Sequence, residues 1–266
     1  MKDQILSFLP AECPWRDTLH WFDTIGSTNT EAKRLAQSGA PHGTVLIAGQ
    51  QTAGRGRLGR SFQSPPGKGV YLSVILRPEC PPEQLMHLTC AAAVAMCDAV
   101  SDAAGFRPGI KWTNDLVYEK RKLGGILTEL SLDAASGLVA YAVIGIGINC
   151  TQTSGDFSEE LQNIAASLSM VSGHSVEPAA LAAAMVTRLN QMSGQLLADT
   201  EAMLSRYKLD CITLGQEILL VRGDEKQYGT ALDIDREGAL IVRFRDGHTA
   251  PVASGEVSVR GMYGYL

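Results

Sequence analysis

The chain has 266 residues, 45% of them hydrophobic, and a formal net charge of −5. This length and apolar content suffice for one large domain, or for a domain with a small module. The acidic balance argues against a protein built around a general basic surface for nucleic acid. No apolar run approaches the length of a membrane span and no signal peptide is evident, so we expect a soluble, cytoplasmic protein that does not bind membranes. The six cysteines and five histidines show no paired spacing, which predicts neither a disulfide framework nor a zinc site.

Helices and short strands alternate along the first part of the chain. Thr28 and Glu31 fit a capping box with Thr28 as the N-cap, which predicts a helix that ends near Gly39. Short apolar runs bounded by turn residues predict buried strands, and an Ala-rich stretch almost free of charge predicts a buried helix. The other elements predicted in this part are strands over 45–48, 70–76, 110–112, 125–130 and 138–149, and the buried helix over 82–104.

The second part of the chain changes from helical to β-rich patterns. Helical periodicity covers 158–168 and 177–208, with a break near Asp199. The residues that follow form short β-rich pieces separated by turns, which is the spacing of a small barrel. We therefore expect a larger domain over 1–209 and a small domain over 210–266. The predicted strands of the small domain are 217–221, 230–234, 240–244 and 256–259.

The segment between the first two predicted strands, residues 54–60, interleaves three glycines with three arginines. Glycine lets a backbone approach a ligand closely, and guanidinium groups suit phosphate or carboxylate. A loop that wraps an anion is therefore one interpretation. A mobile surface loop with solvated arginines, or a segment that grips single-stranded nucleic acid, explains the same composition.

Three further groups of residues bear on a binding site. Residues 27–29 begin the first predicted helix, where free N–H groups suit an anion, and plain helix capping explains them as well. Lys111 ends a predicted strand beside Trp112. It either places an ammonium in a partly desolvated site or reaches solvent while the tryptophan anchors the core. Residues 145–149 lack the third glycine of a dinucleotide fingerprint, so we reject a Rossmann domain.

In their order along the chain these motifs resemble the biotin protein ligases. The resemblance covers nearly the whole chain, and residues 254–260 are similar to the end of that family's C-terminal SH3-like barrel. Two positions depart from the family pattern, because Thr113 stands where proline is usual and Phe62 stands where tryptophan is frequent. The motifs are STN at 27–29, QTAGRGRLGR at 51–60, SP at 64–65, YLS at 71–73, KWTND at 111–115, KLGGIL at 122–127 and GIGIN at 145–149.

The resemblance implies a fold and a reaction. The fold is of the α+β class: a catalytic domain like that of class II aminoacyl-tRNA synthetases, with helices packed on a mixed β-sheet, precedes a small SH3-like β-barrel. In the first reaction step, the biotin carboxylate attacks the α-phosphate of ATP to form biotinyl-5′-AMP and pyrophosphate. A lysine of a carrier protein then attacks the acyl carbon. No enzyme nucleophile is needed, which agrees with the lack of a Ser-His-Asp or Cys-His signature.

The resemblance also implies roles for site residues. Lys111 would bridge the biotin carboxylate and the α-phosphate, while Arg55 and Arg57 would hold the phosphate and close over the adenylate as a mobile lid. Asp115 would position the acceptor lysine, and Mg²⁺ is expected with the triphosphate although no ligands are assigned to it. The expected biotin-binding residues are Ser27, Thr28, Asn29, Gln51, Gly56, Gly124 and Gly125. The expected nucleotide-binding residues are Arg55, Arg57, Phe62, Lys111, Asn114 and Asn149.

The expected partner is a biotin carboxyl carrier protein, a subunit of acetyl-CoA carboxylase, or another biotin-dependent enzyme. A lipoate ligase is one rival, since it also forms an acyl-adenylate, and the 54–60 segment favours biotin over lipoate. A second rival is a biotin-sensing transcription repressor with an N-terminal winged helix-turn-helix. The segment before Ser27 is too short for that domain, so we expect a monofunctional enzyme that does not bind DNA. Whether the chain is a monomer or a homodimer stays open.

Overall fold

The structure is a computed structural model that describes residues 1–253 and 258–261, and it contains two β-sheets. The strands of the first sheet are β1 (Leu19–Phe22), β2 (Thr44–Ala48), β3 (Gly69–Leu76), β4 (Gly109–Lys111), β5 (Asp115–Tyr118), β6 (Arg121–Leu132) and β7 (Val139–Asn149). Their order in the sheet is β1-β2-β3-β7-β6-β5-β4. β1 and β2 are parallel, whereas every other neighbouring pair is antiparallel.

Helices cover both faces of this first sheet. They are α1 (Lys2–Phe8), α2 (Thr28–Gln37), α3 (Leu88–Ala104), α4 (Leu168–Ser172), α5 (Pro178–Gln195) and α6 (Thr200–Asp210). α3 and α5 pack together on one face, and α2 packs against β2, β3 and β7 on the other. Because both faces are covered, all eight residues of β3 are buried and the strand is almost continuously apolar. The predicted mixed sheet with helices packed on it is confirmed.

The predicted buried helix over 82–104 is confirmed as a short 3-10 turn, Pro82–Leu85, followed by α3. Its many alanines allow α5, which is also Ala-rich, to pack closely against it. α3 ends at Gly105, which adopts the left-handed conformation with a φ of 74°. Contrary to our expectation, the segment Pro82–Ala104 is by length and composition sufficient to cross a membrane, but 72% of its apolar window is buried inside the fold.

The second sheet contains only antiparallel strand pairs among the described residues. Its strands are β8 (Glu217–Arg222), β9 (Glu225–Ile234), β10 (Leu240–Phe244), β11 (Thr249–Val252) and β12 (Ser258–Gly261), in the order β11-β10-β9-β8-β12. The prediction of a small β-rich module is confirmed. The pairings described leave β11 and β12 as edges, so they do not close the sheet into a barrel. Of the predicted strand over 256–259 and the motif over 254–260, residues 254–257 lie outside the described residues.

The N-cap of α2 is Ser27, so the predicted capping box with Thr28 as N-cap is wrong. Ser27 has an extended backbone, and its side chain accepts the N–H of Thr30 at 3.5 Å. Thr28 is already helical and its hydroxyl donates to Gln51 instead. Glu31 does not return to the N-cap, because its carboxylate binds Arg34 at 2.6 and 2.9 Å.

The predicted helix over 158–168 is also wrong, because only its last residue belongs to a helix, α4. The backbone here pairs with the start of β6: Lys122 donates its N–H to Ile164 O at 2.7 Å and accepts that of Ala166 at 2.9 Å. Those tertiary hydrogen bonds satisfy groups that a helix would have paired within itself.

Besides the four-residue β5, three short elements, α1, β1 and β11, were not predicted from the sequence. None exceeds seven residues, and each buries a single side chain: Ile5, Leu19 and Val252 respectively. A segment that contributes one side chain to a core formed elsewhere shows no apolar period of its own. These elements are therefore determined by the rest of the fold.

Candidate functional site

One cavity of about 620 Å³ lies between the 54–60 loop, the first turn of α2, strands β6 and β7, and the segment after β4. Twelve of the fourteen residues predicted for the site line it, which places residues far apart in sequence around one space. The twelve are Ser27, Thr28, Asn29, Gln51, Arg55, Gly56, Arg57, Phe62, Lys111, Asn114, Asp115 and Gly125.

Gln51 joins the start of α2 to the segment that enters the 54–60 loop. Its Oε1 accepts the backbone N–H of Thr28 at 2.8 Å and the hydroxyl of Thr28 at 3.1 Å. Its Nε2 donates to Ser64 Oγ at 3.1 Å. One of the N–H groups at the helix start is thus satisfied by a neutral amide, which holds the cavity wall together without adding charge.

Asn29 is held by buried polar contacts behind the cavity wall. Ser73 Oγ, with no exposed surface, lies 2.6 Å from Asn29 Oδ1 and 2.8 Å from the hydroxyl of Thr28. Asn29 Nδ2 donates to Leu127 O at 3.3 Å. A Cβ on Gly145 would lie 1.7 Å from Asn29 Oδ1, so a glycine is required there for the Asn29 side chain to occupy this place.

The 54–60 loop is a hydrogen-bonded turn that connects β2 with β3, as the sequence predicted for its position. Gly56 N donates to Arg60 O at 2.7 Å, and Phe62 N donates to Gly54 O at 2.9 Å. A 3-10 turn forms the tip, where Leu58 adopts a φ of 54°. These bonds place the Arg55 and Arg57 side chains along the cavity instead of leaving them simply solvated. Movement of this loop as a lid stays a prediction.

Arg55 binds a carboxylate that the sequence motifs do not identify as part of the site. Its Nη1 lies 3.1 Å from Glu129 Oε2, and Glu129 also accepts from Lys33 at 3.0 Å and from Asn29 at 3.1 Å. Burial by itself would raise the pKa of Glu129. The hydrogen bonds from Lys33 and Asn29 and the charge of Arg55 outweigh that effect and hold the pKa below its ordinary value. Glu129 is therefore ionised and links α2, β6 and the loop.

Arg57 lies deeper in the site than Arg55. Its Nη1 donates to Asn114 Oδ1 at 2.8 Å, and Asn114 Nδ2 donates to Ile126 O at 3.0 Å. Burial lowers the pKa of Arg57, an effect that the negative charge of Asp115 partly opposes. The guanidinium remains charged near neutral pH, and the neutral amide of Asn114 fixes its direction.

Lys111 ends β4 in the cavity wall with only 7% of its surface exposed, so it does not simply reach solvent. Trp112 is buried beside it, and the peptide that follows Trp112 is cis. Within β4 and β5, Lys111 and Asp115 are paired positions. An ammonium in so enclosed a place interacts with a negative charge far more strongly than it would in water.

Lys122 is a cavity residue to which the sequence assigned no role. Its Nζ donates to Asp115 Oδ1 at 2.5 Å, and both residues line the cavity. A Cβ on Gly125 would lie 3.2 Å from Lys122 Nζ and 3.4 Å from Asp115 Oδ1, so Gly125 leaves little spare room beside this ion pair. The signal for Lys122 in the sequence was its position in the KLGGIL motif.

Phe62 closes one side of the cavity with its aromatic ring. It packs edge-on against Tyr71 at a centroid distance of 6.4 Å. A Cβ on Gly147 would come within 2.5 Å of the ring, so β7 has space for Phe62 only because position 147 is glycine. The ring thus has a defined place in the wall, where a planar ligand group can stack on it.

Gly124 and Asn149, two of the predicted site residues, do not line the cavity. Asn149 is buried, where its Nδ2 donates to Ala166 O at 3.1 Å and its Oδ1 accepts from Gln152 at 3.0 Å. At Gly124 a Cβ would meet Gly147 O at 2.6 Å, so this glycine allows β6 and β7 to pair. Both positions support the wall from behind.

Comparison with known proteins finds relatives of both parts of the chain. Residues 21–149 match the model of the biotin/lipoate A/B protein ligase family, and residues 213–260 match that of the biotin protein ligase C-terminal domain. The bifunctional ligase/repressor BirA of Bacillus spizizenii is 37% identical, over 85% of this chain and 69% of its own length. The biotin--[acetyl-CoA-carboxylase] ligase of Mycobacterium tuberculosis is 31% identical, over 97% of this chain and 93% of its own.

Solved structures share the fold. The biotin protein ligase from Aquifex aeolicus in complex with biotin and ATP is 27% identical to this chain, with a TM-score of 0.77. The match covers 91% of this chain and 98% of that one, so it includes both β-sheets.

Proposed function

The chain belongs to the biotin protein ligase family, and from this premise we propose that it activates biotin with ATP and transfers the biotinyl group to a lysine of a carrier protein. The observation that carries the proposal is the burial of Lys111 in the wall of a cavity that also contains the 54–60 arginines and the start of α2. The same wall offers cations for a phosphate and neutral hydroxyl and amide groups for an uncharged ring.

In the first step the biotin carboxylate oxygen attacks the α-phosphorus, and pyrophosphate leaves. Negative charge accumulates on the α-phosphate oxygens, and we assign its stabilisation to Lys111, Arg55 and Arg57. Lys111 is the strongest candidate because it is the most enclosed of the three. Closing the arginines over the mixed anhydride would exclude the water that hydrolyses it.

We assign the binding of biotin to the residues around the start of α2. Thr28, Asn29 and Gln51 are held by the contacts that keep their polar groups in fixed directions, and a site that is arranged before binding loses less entropy. Ser27, Gly56 and Gly125 complete this group, with Gly124 supporting it from behind the wall. We assign the nucleotide to Phe62, Asn114 and the three cations, while Asn149 would act through the backbone of the wall.

In the second step a lysine amine attacks the acyl carbon, and AMP leaves. We propose that Asp115 positions this amine, because it already binds the ammonium of Lys122 at 2.5 Å. None of the six cysteines lines the cavity, so they do not supply a nucleophile. Burial raises the pKa of Cys90 and of Cys150 to about 12, so both stay as thiols near neutral pH.

We propose that magnesium enters with ATP as part of the substrate. Among the residues that the structure describes there is no group of three or more histidine, cysteine, aspartate or glutamate side chains that could hold a metal. Phosphate oxygens and water, which magnesium accepts readily, would thus provide most of its ligands. We further propose a biotin carboxyl carrier protein of acetyl-CoA carboxylase as the acceptor, a cytoplasmic location, and a boundary between a catalytic domain over 1–209 and a C-terminal domain over 210–266.

A mass measurement on a carrier domain tests the function. The protein is incubated with ATP, Mg²⁺ and the carrier, together with biotin or lipoate. We expect the carrier to gain one biotinyl group on one lysine, and a carrier whose lysine is replaced by arginine to gain none. A gain with lipoate alone would establish the lipoate ligase instead, and no gain with either acid would refute the proposal.

A further inference from the structure

We propose that the turn between β9 and β10 in the C-terminal sheet is a positioning element for Lys111 and that it acts through Trp112. The inference rests on the proposed function, since it concerns how the adenylating lysine is held. Gly238 lies in this turn, and its carbonyl oxygen accepts the indole N–H of Trp112 at 3.0 Å. Both residues are buried, so this hydrogen bond is sheltered from competition with water.

Hydrogen bonds within the turn fix its conformation independently of Trp112. Asp235 accepts the backbone N–H groups of Glu237 and Ala239 at 2.9 and 2.8 Å, and its own N–H donates to Ala239 O at 3.0 Å. Gly238 adopts a φ of +81°, which glycine tolerates best. The carbonyl of Gly238 is therefore a prearranged acceptor to which the indole is fitted.

The turn is inserted tightly against the beginning of α3. A Cβ on Gly238 would lie 3.0 Å from Cys90 Sγ and 3.5 Å from the Cα of His87. Because 3.0 Å is closer than an ordinary van der Waals contact, a Cβ here requires the turn or the Cys90 side chain to move by a few tenths of an ångström, and a movement of the turn shifts the acceptor of Trp112.

The strand that carries Lys111 depends on such outside contacts. β4 has three residues and is an edge strand, paired in its sheet only with β5. On its other edge, Ile110 O accepts the N–H of Ile212 at 3.0 Å, and the N–H of Trp112 donates to Thr213 Oγ1 at 2.9 Å. Residues on both sides of Lys111 are thus bound by the chain leading into the C-terminal sheet. A small shift of a charged group in an active site can cost a large part of the rate.

Two glycines allow a matched test of this proposal. Gly238 and Gly247 both lie in hairpin turns of the same sheet, with φ of +81° and +91°, but a Cβ on Gly247 would meet nothing within 4 Å. Gly238→Ala and Gly247→Ala therefore both place an alanine at a positive φ. Only the alanine at position 238 also comes into close contact with neighbouring atoms. We expect Gly238→Ala to slow biotinyl-adenylate formation about 10- to 100-fold while biotin affinity changes less than about threefold. Gly247→Ala should leave both unchanged.

A double-mutant cycle identifies Trp112 as the link. Trp112→Phe keeps an aromatic ring and removes the N–H donor, so it should slow adenylation in the same way, and Gly238→Ala should add little to it. This variant also keeps the test open if Gly238→Ala does not fold. Additive effects, equal losses in the two alanine variants, or a fall in biotin affinity as large as the fall in rate would each overturn the proposal.

Hydrogen exchange of the tryptophan indoles can be measured without any enzymatic activity, so it tests this inference separately from the proposed function. The chain has three tryptophans, and ¹⁵N-labelled tryptophan gives one indole signal for each. The Trp112 signal, identified by its loss in Trp112→Phe, should exchange slowly with deuterium in the wild type and much faster in Gly238→Ala, but not in Gly247→Ala. Unchanged exchange in Gly238→Ala would refute the positioning contact. Missing adenylation in the wild type, with this exchange pattern intact, would refute only the function.

Discussion

Arg55 Nη1 lies 3.2 and 3.1 Å from the two carboxylate oxygens of Glu129, so one of the arginines assigned to phosphate is held by a glutamate of β6. The Arg55 side chain is 45% exposed and that of Glu129 is 20% exposed. Because Glu129 also binds Lys33 and Asn29, it connects the arginine loop to the helix start assigned to biotin. A guanidinium has five N–H donors, so Arg55 can bind a phosphate while Glu129 still holds it.

We expect Glu129→Gln to loosen the loop, because the amide keeps the shape but not the charge that holds Arg55. A partly exposed ion pair contributes ~0.5–1 kcal/mol, so bound biotinyl-adenylate should escape about two- to fivefold faster. Rapid filtration of enzyme loaded with labelled adenylate measures this rate. Glu31→Gln is the matched control, since Glu31 binds Arg34 on the same helix, away from the cavity. An unchanged escape rate in Glu129→Gln would show that the pair does not restrain the loop.

Lys111→Ala should slow adenylation about 10²- to 10³-fold, because the enclosed ammonium acts on charge that develops in the transition state. Biotin binding should change far less, since biotin itself brings only one carboxylate. Stopped-flow measurement of adenylate formation and calorimetry with biotin give the two quantities. Lys226→Ala, at an exposed position of strand β9, serves as the control for loss of a lysine. Comparable losses in rate and in affinity would mean that Lys111 merely holds the substrate.

Gly145→Ala should displace Asn29, whose Oδ1 would lie 1.7 Å from the new Cβ. The displaced amide loses its contacts with Ser73 and Leu127, and buried groups left unpaired cost ~1–3 kcal/mol each. We therefore expect biotin affinity to fall about tenfold or more by titration calorimetry, in a protein that is also less stable to urea. Gly155→Ala, with nothing within 4 Å of its Cβ, should alter neither. A folded Gly145→Ala protein with normal affinity would remove Asn29 from the biotin site.

We expect the free energy of unfolding to depend on the protonation of Asp98 at acid pH. It accepts hydrogen bonds from Arg107 at 2.7 Å and from Arg206 at 2.7 and 2.9 Å, which connect α3 to the segment before β4 and to α6. Burial alone would raise the pKa of Asp98, but the two arginines lower it below the ordinary 3.8. The stabilisation is therefore complete above the unfolded-state pKa and is lost as the pH falls through the lower folded value.

We expect Asp98→Asn to lower the free energy of unfolding by ~1–3 kcal/mol near neutral pH. The difference from the wild type should shrink as the pH falls below the ordinary aspartate pKa. Urea unfolding at several pH values measures it, with the exposed turn substitution Asp224→Asn as the control. A difference that stays constant down to strongly acid pH would mean that packing, and not the charge of Asp98, carries the effect.

Local patterns were sufficient for the long elements. β3, β7 and α3 were predicted because each is a long apolar run, and such runs bury themselves wherever the chain places them. The pattern failed over 158–168, where the hydrogen bonds of Lys122 to Ile164 and Ala166 outweigh a modest helical period. The spacing of apolar residues indicates which side chains are buried. It contains no information about hydrogen bonds to backbone groups that are distant in the sequence.

The sequence by itself determined the motifs and their order, and with them the family, because residue types such as the arginines and glycines of 54–60 can be recognised locally. Only the tertiary structure decided which carboxylate Arg55 binds, how Lys111 is enclosed, and that the turn at Gly238 contacts Trp112. The partners of those contacts lie 74 and 126 positions apart. A contact between such distant residues depends on how the two sheets and their helices pack, and that packing is a property of the whole chain.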